Sequence, residues 1–133
     1  MRVDWSGKEA VTRFRVVARS NRATFLELEL VTGRTHQVRV HLDAVGYPVI
    51  NDLAYGKKAP TVLRTDNSQV INRQMLHAWQ ICLLRLDGRQ ITCYAALPND
   101  IRLTAAELGI DELVFSGYGR TGYEQQEVTH QRS

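Results

Sequence analysis

Basic and imidazole side chains are concentrated in one short stretch of the chain. They are Arg34, His36, Arg39 and His41. Arginine binds phosphate or carboxylate through two hydrogen bonds from one planar group, and histidine can add a further donor. This grouping of residue types predicts a site for an anion.

The elements that must position this site follow from the neighbouring residues. Apolar alternation over residues 26–30 predicts a half-buried strand, which Gly33 breaks. Thr35 can then cap a helix that runs to a left-handed stop at Gly46. The start of a helix favours phosphate, because its backbone N–H groups and its dipole both attract negative charge.

Helical spacing divides this predicted helix into two faces. The buried stripe would consist of Val38, Leu42 and Val45, and the exposed face of His36, Arg39 and Asp43. His41 points elsewhere and is interpreted as a packed or capping side chain. On an exposed face, a substitution of Arg39 is expected to cost little stability.

A first antiparallel hairpin is predicted before the helix, from residues 11–18 and 24–31 with a polar turn between them. Its outward cross-strand partners would be Arg13, Arg15, Glu27 and Glu29, and its inward residues Phe14, Val16, Ala18, Leu26, Leu28 and Leu30.

A second hairpin is predicted from residues 76–86 and 89–97, around the turn signal Asp87-Gly88. Apolar residues on both of its faces indicate a central position in a sheet. A two-residue turn would place Cys82 opposite Cys93, with both thiols reduced.

The rest of the chain completes an α+β class with predominantly antiparallel sheet. A short helix over residues 103–108 would end at Gly109, and residues 116–133 lack periodicity and are predicted to form a flexible tail.

The 133 residues, 44% of them hydrophobic, suffice for one core. The net charge of +3 permits a phosphate-rich partner. No apolar run has the length of a membrane span, and no ligand spacing indicates a metal, so we expect a cytoplasmic protein without a metal.

Several motifs, taken in order, resemble the RluA-like RNA pseudouridine synthases. They are the run Leu30-Val31-Thr32-Gly33-Arg34-Thr35-His36-Gln37-Val38-Arg39-Val40-His41-Leu42, then Gly46-Tyr47-Pro48-Val49-Ile50-Asn51-Asp52, Tyr55-Gly56 and Met75-Leu76-His77-Ala78. The likeness extends from about Val11 to Leu97. Asn51 stands where the family usually has Gly, and the His-Pro usually found after the last motif is missing.

The resemblance implies that residues 1–115 are the C-terminal portion of a synthase catalytic domain. The activity would be isomerisation of uridine to pseudouridine in rRNA or tRNA, without a cofactor. Arg39 would pair with the catalytic Asp, Leu76 would line the base pocket, and Arg34 and His36 would contact RNA. Asp52 and Tyr55 are interpreted as shaping a local turn.

A basic loop leaves two interpretations open. It contains Lys57, Lys58, Arg64 and Arg73. The loop can be a solvated surface, or Lys57 and Lys58 can contact RNA phosphates.

The family's catalytic Asp lies in a His-Arg-Leu-Asp motif that precedes these motifs, and the residues of this sequence contain no such motif. Arg85-Leu86-Asp87 repeats three of its letters but is interpreted as the tip of the second hairpin. We therefore expect the isolated chain to be inactive and its partner to be the missing N-terminal half of the domain. The alternative is a non-catalytic RNA-binding module or pseudoenzyme.

Overall fold

A computed structural model describes residues 7–56 and 73–127 of the chain. It contains two antiparallel sheets, two α-helices and a 3-10 helix. In chain order the elements are β1 (Thr12–Arg19), β2 (Thr24–Leu30), α1 (Gln37–Ala44), β3 (Gln80–Leu84), β4 (Arg89–Tyr94), α2 (Asn99–Glu107), the 3-10 helix (Glu112–Tyr118) and β5 (Gly122–Glu127). The predicted α+β class with antiparallel sheet is confirmed. None of the helices in the described ranges is both long and apolar enough to cross a membrane.

The first hairpin, β1–β2, has the predicted pairing of charges. Arg13 lies opposite Glu29 and Arg15 opposite Glu27, and ion pairs of 3.4 Å and 3.1 Å join them. A bulge between Val16 and Ala18 shifts the register near the turn. The prediction that Phe14 faces the core is wrong, since it is 68% exposed, because only the turn end of this hairpin packs against the core.

The second hairpin, β3–β4, turns at Asp87-Gly88 as predicted, but its register differs by one residue. Arg85 N–H donates to the carbonyl of Arg89 (2.8 Å) and Gly88 has a φ of 82°, so the loop holds three residues, not two. Cys82 therefore lies opposite Thr92, and its predicted pairing with Cys93 is wrong. Both cysteines are free thiols.

The part of the chain after residue 97 is more ordered than the sequence indicated. Helix α2 begins at Asn99, directly after the extended Pro98, and ends before Gly109, whose φ of 85° provides the expected stop. The flexible tail predicted for residues 116–133 is wrong for residues 116–127. Tyr118 is buried, and β5 pairs along the full length of β4. Residues 128–133 lie outside the described ranges.

Position in the sheet explains why β5 was missed. Its sequence, Gly-Tyr-Glu-Gln-Gln-Glu, has no apolar alternation, and backbone hydrogen bonds to β4 hold it in place. Strand β4 is consequently central, as predicted for this hairpin, whereas β3 is an edge strand in the part of the sheet that the structure describes.

The core lies between α2, the 3-10 helix and the turn end of the first hairpin. It is formed by Leu97, Ile101, Ala105, Ile110, Phe115 and Tyr118. Phe25 of β2 packs edge-on against Phe115 and Tyr118, with ring centroids 5.4 Å and 5.6 Å apart. Ser20 Oγ donates to the carbonyl of Leu108 (2.6 Å) and so fixes the β1–β2 turn on the end of α2. The hairpin that leads into α1 is thereby anchored to the rest of the molecule.

Candidate functional site

Gln37, the first residue of α1, fixes the start of the helix against β1. Its side-chain carbonyl accepts from Thr32 Oγ1 (2.8 Å) and Arg34 N–H (3.0 Å), and its amide donates to the Val11 carbonyl (3.0 Å) and Thr12 Oγ1 (2.9 Å). These four bonds use the hydrogen-bonding capacity of the amide fully, which permits the side chain to be 2% exposed. The sequence did not predict this role of Gln37, because the polarity of a residue does not show whether its side chain is buried and hydrogen-bonded or exposed to solvent. We call these four bonds the Gln37 clamp.

His36, and not Thr35, occupies the position before the helix, so the prediction of a Thr35 cap is wrong. His36 has a φ of 54°, a left-handed conformation, and makes no capping hydrogen bond with its side chain. Such a conformation costs a residue with a Cβ about 1 kcal/mol or more. Its Nδ1 instead lies 2.9 Å from the Tyr55 hydroxyl, which ties the exposed imidazole to the turn beyond the helix.

Arg39 is largely enclosed, and the prediction that it lies on an exposed face is wrong. Its side chain is 15% exposed and bound to Asp52, whose side chain is fully buried. Nε donates to Oδ2 (2.7 Å) and Nη2 to Oδ1 (2.8 Å). This planar two-bond geometry is the one in which an arginine fixes a carboxylate most firmly.

The pKa of Asp52 is lowered from 3.8 to about 2. The hydrogen bonds from Arg39 are the largest cause, and they outweigh burial, which acts in the opposite direction. Backbone N–H groups of Ala54 and Tyr55 add bonds of 3.1 Å each to Oδ1. Asp52 thus shapes the local turn as predicted, and it also neutralises Arg39, which the sequence did not indicate.

Arg39 is enclosed because the turn that contains Asp52 covers its face of α1, and not because the helix itself buries that face. Val38 is buried as predicted, but Val40 is buried as well, and Val45 is 66% exposed because α1 ends at Ala44. The buried side of α1 carries Gln37, Val38 and Val40, and at about 100° per residue Arg39 lies opposite these residues, where the turn that contains Asp52 covers it. His41 Nδ1 lies 2.9 Å from Thr12 Oγ1, in agreement with its interpretation as a packed side chain.

The turn after α1 depends on two residues with special backbone requirements. Asn51 has a φ of 60°. Asparagine tolerates this left-handed conformation, which explains how it can replace the glycine usual in the resembled family. A Cβ on Gly56 would lie 2.8 Å from the Asp52 carbonyl oxygen, so only glycine fits. Tyr55 lies between them in the chain, and its ring is 4.9 Å from the Arg39 guanidinium carbon, a cation–π contact.

Leu76, predicted to line a base pocket, belongs to a segment attached to this same turn. Met75 N–H donates to the carbonyl of Ile50 (2.9 Å), and Arg73 Nη1 donates to the Leu76 carbonyl (3.2 Å). Leu76 itself is half-buried. The hydrogen bond from Met75 joins the segment that contains Leu76 to the turn that contains Asp52.

The remaining basic candidates differ in position. Arg34 is exposed at the start of α1, and its Nε donates to the Glu9 carbonyl (3.4 Å). Arg73, one of the four residues of the predicted basic loop, is engaged by Asp100 through Nε and Nη2, so a protein carboxylate already occupies its guanidinium. Lys57 and Lys58 lie outside the described residues.

Asp87 lies in a hairpin tip, as the sequence predicted. Its carboxylate accepts from Arg89 N–H (3.1 Å) and pairs with Arg85 (3.3 Å), both within the turn. It therefore belongs to the β3–β4 sheet and is bound locally. In residues 7–56 and 73–127, no group of three His, Cys, Asp or Glu side chains is arranged to hold a metal ion.

Comparison with known proteins points to one family. Residues 3–44, which include Arg34, His36 and Arg39, match the family model described as RNA pseudouridylate synthase. The chain is 40% identical over 102 residues to a ribosomal large subunit pseudouridine synthase D of Nitrosomonas europaea, covering 76% of this chain and 30% of that protein. The corresponding protein of Zymomonas mobilis is 36% identical over 101 residues, with 75% and 32% covered.

An uncharacterized RNA pseudouridine synthase of Bacillus subtilis is 38% identical over 104 residues, covering 76% of this chain and 32% of that protein. The chain thus spans about a third of the length of these curated relatives. No solved structure matches it.

Proposed function

We propose that this chain, which belongs to the RNA pseudouridine synthase family, is one part of a uridine-isomerising enzyme. This part orients the catalytic carboxylate, which another part of the enzyme supplies, and contacts the RNA. The observation that carries the proposal is the enclosed, rigidly bound Arg39 within the segment that matches the family. An arginine fixed in this way can orient a second carboxylate to within the small tolerance that catalysis requires.

Neither Asp52 nor Asp87 is placed to supply the catalytic carboxylate. Asp52 is fully buried and accepts hydrogen bonds from Arg39 and two backbone N–H groups, so it cannot reach a substrate. Asp87 is bound in its own turn on the other sheet. We therefore infer that the carboxylate belongs to the remaining part of the catalytic domain, on the same chain or on a partner chain, and that residues 1–115, together with the 3-10 helix end and β5 that follow them, form the C-terminal portion of that domain.

The reaction that we propose detaches the uracil base from its ribose, turns it and rejoins it through carbon, with no cofactor. The target nucleotide would leave its base stack to reach the site. Arg39 orients the carboxylate, and Leu76 forms a wall for the base. Arg34 and His36, both exposed at the start of α1, are placed to contact RNA, and Lys57 and Lys58 would add phosphate contacts.

The names of the relatives supply the substrate class. The proteins from Nitrosomonas europaea and Zymomonas mobilis are named for the large ribosomal subunit. We propose that this chain likewise acts on ribosomal RNA, in the cytoplasm where ribosomes are found. A tRNA substrate is the alternative that the experiment below separates.

A graft tests the proposal. The 102-residue matched stretch of the Nitrosomonas europaea enzyme is replaced by the corresponding residues of this chain, and pseudouridine formation is measured in large-subunit rRNA and in bulk tRNA. The parent enzyme is the positive control, and the graft with Arg39→Gln is the negative control. We expect activity on rRNA that Arg39→Gln lowers strongly, to a small rate that single-turnover measurement still resolves. A graft that melts cooperatively and binds rRNA but forms no pseudouridine would instead favour a non-catalytic RNA-binding module.

A further inference from the structure

Only one edge of the Arg39 guanidinium is used by Asp52. Nε and one N–H of Nη2 donate to the carboxylate. A guanidinium carries five N–H donors, so Nη1 and the second N–H of Nη2 form another edge with the same fork geometry. Nη1 makes no hydrogen bond within the described part of the chain, and the side chain keeps 15% of its surface exposed. Arg39 therefore has a second edge available for an anion.

The Nε–Nη2 edge of Arg39 is held in place, because Asp52, which binds it, is itself fixed. Its side chain is fully buried, and the N–H groups of Ala54 and Tyr55 hold Oδ1 from the backbone. The ring of Tyr55 covers one face of the guanidinium at 4.9 Å. Carboxylate and ring together determine both the position and the plane of the Arg39 head group.

We propose that Asp52 is a positioning residue, which holds Arg39 by its Nε–Nη2 edge so that the Nη1–Nη2 edge can bind the catalytic carboxylate. The inference rests on the proposed function, in which Arg39 orients that carboxylate. Asp52 touches neither substrate nor the reacting atoms and acts only through Arg39.

Sharing one guanidinium between two carboxylates has an electrostatic consequence. Asp52 already neutralises Arg39, so the second carboxylate receives less stabilisation of its charged form than it would beside an unpaired arginine. Removal of the Asp52 charge must then lower the pKa of the catalytic carboxylate. Among residues 7–56 and 73–127, the other titratable groups that face this pair are Tyr55 and, through the Tyr55 hydroxyl, His36.

The test uses the grafted enzyme of the preceding section with Asp52→Asn. We expect single-turnover isomerisation to slow by about 100-fold, since misplacement of a catalytic group by about 1 Å has an effect of that order. Affinity for rRNA should stay unchanged, and the acidic limb of the pH–rate profile should move to lower pH by about one unit. A loss of packing alone would not move that limb. Asp43→Asn, the same change of charge at an exposed position of α1, should alter neither quantity.

A double variant keeps the test decisive where Asp52→Asn fails to fold. In Asp52→Asn, the amide oxygen could still accept from the backbone N–H groups, but the amide NH2 would then face the N–H donors of Arg39. In the double variant Arg39→Gln with Asp52→Asn, the two side-chain amides can instead pair with each other. Because Asp52 acts through Arg39, the double variant should be no slower than Arg39→Gln alone. A further loss in the double variant overturns the inference, as does a folded Asp52→Asn graft with unchanged rate and pH profile. If the Asp52→Asn graft is unchanged, the activity of the unsubstituted graft still supports the proposed function, and only the positioning role of Asp52 is overturned. An inactive unsubstituted graft would overturn both the positioning role and the proposed function.

Discussion

The bond between Arg39 and Asp52 should contribute substantially to stability, and replacement of Arg39 by Gln measures that contribution. The pKa of Asp52 is about 2 in the folded chain and 3.8 without the fold. At about 1.4 kcal/mol per tenfold change in proton affinity, the difference corresponds to about 2 kcal/mol of stability at neutral pH. Arg39→Gln also leaves the buried carboxylate without its cation, and breaking such a pair costs about 3–5 kcal/mol. We therefore expect a loss of about 2–4 kcal/mol.

The loss must also depend on pH in one direction. Because the folded pKa of Asp52 is depressed, its contribution is present above pH 3.8 and disappears as the pH falls through about 2. Urea unfolding at pH 7 and at steps down to about pH 2 should show the gap between the unsubstituted chain and Arg39→Gln narrowing across that window. Arg13→Gln is the control, since Arg13 and Glu29 pair with both side chains 69% exposed and should contribute less than about 1 kcal/mol. A gap under about 1 kcal/mol at pH 7, or a gap that does not change with pH, would refute this reasoning.

Three further outcomes are expected. Gln37→Leu should lower the free energy of unfolding by about 3 kcal/mol, measured by urea titration, because it removes four part-buried hydrogen bonds at the start of α1; a loss below about 1 kcal/mol would contradict the clamp. Arg34→Ala should weaken RNA binding and reduce the slope of log affinity against log salt by about one, because one phosphate contact releases about one counterion; an unchanged slope would make Arg34 structural. The isolated chain should form no pseudouridine in rRNA or tRNA, and turnover that Asp87→Asn abolishes would show that the hairpin Asp is catalytic after all.

Local patterns predicted those features that depend on a few neighbouring residues. Alternation with opposite charges predicted that the arginines of β1 pair with the glutamates of β2, and the Asp87-Gly88 turn predicted the second hairpin. Gly46 and Gly109 have the positive φ expected where a helix stops. In each case the preference of the residues themselves determines the backbone over a few positions.

Features that depend on a choice between similar backbones were less predictable. The second hairpin could turn over two or three residues, and one additional loop residue changed the partner of Cys82. Strand β5 carries no apolar alternation, so no pattern distinguishes it from a loop. Its backbone pairing with β4 exists only once the core has brought Tyr118, and with it the following residues, against the sheet.

The chemistry of the site divides in the same way. The residue types between positions 34 and 41, and their likeness to a known family, predicted Arg39 as a site residue and the class of reaction from the sequence alone. What Arg39 binds depends on a turn that brings Asp52, thirteen residues later, over the face of α1 that carries Arg39. That turn requires Asn51 in a left-handed conformation and Gly56 against a backbone oxygen. Periodicity describes one helix without its neighbours, so it predicted that Arg39 faces solvent. In the folded chain Arg39 instead binds the buried carboxylate of Asp52, and its hydrogen bonds lower the pKa of that carboxylate. This tertiary contact fixes Arg39 in place.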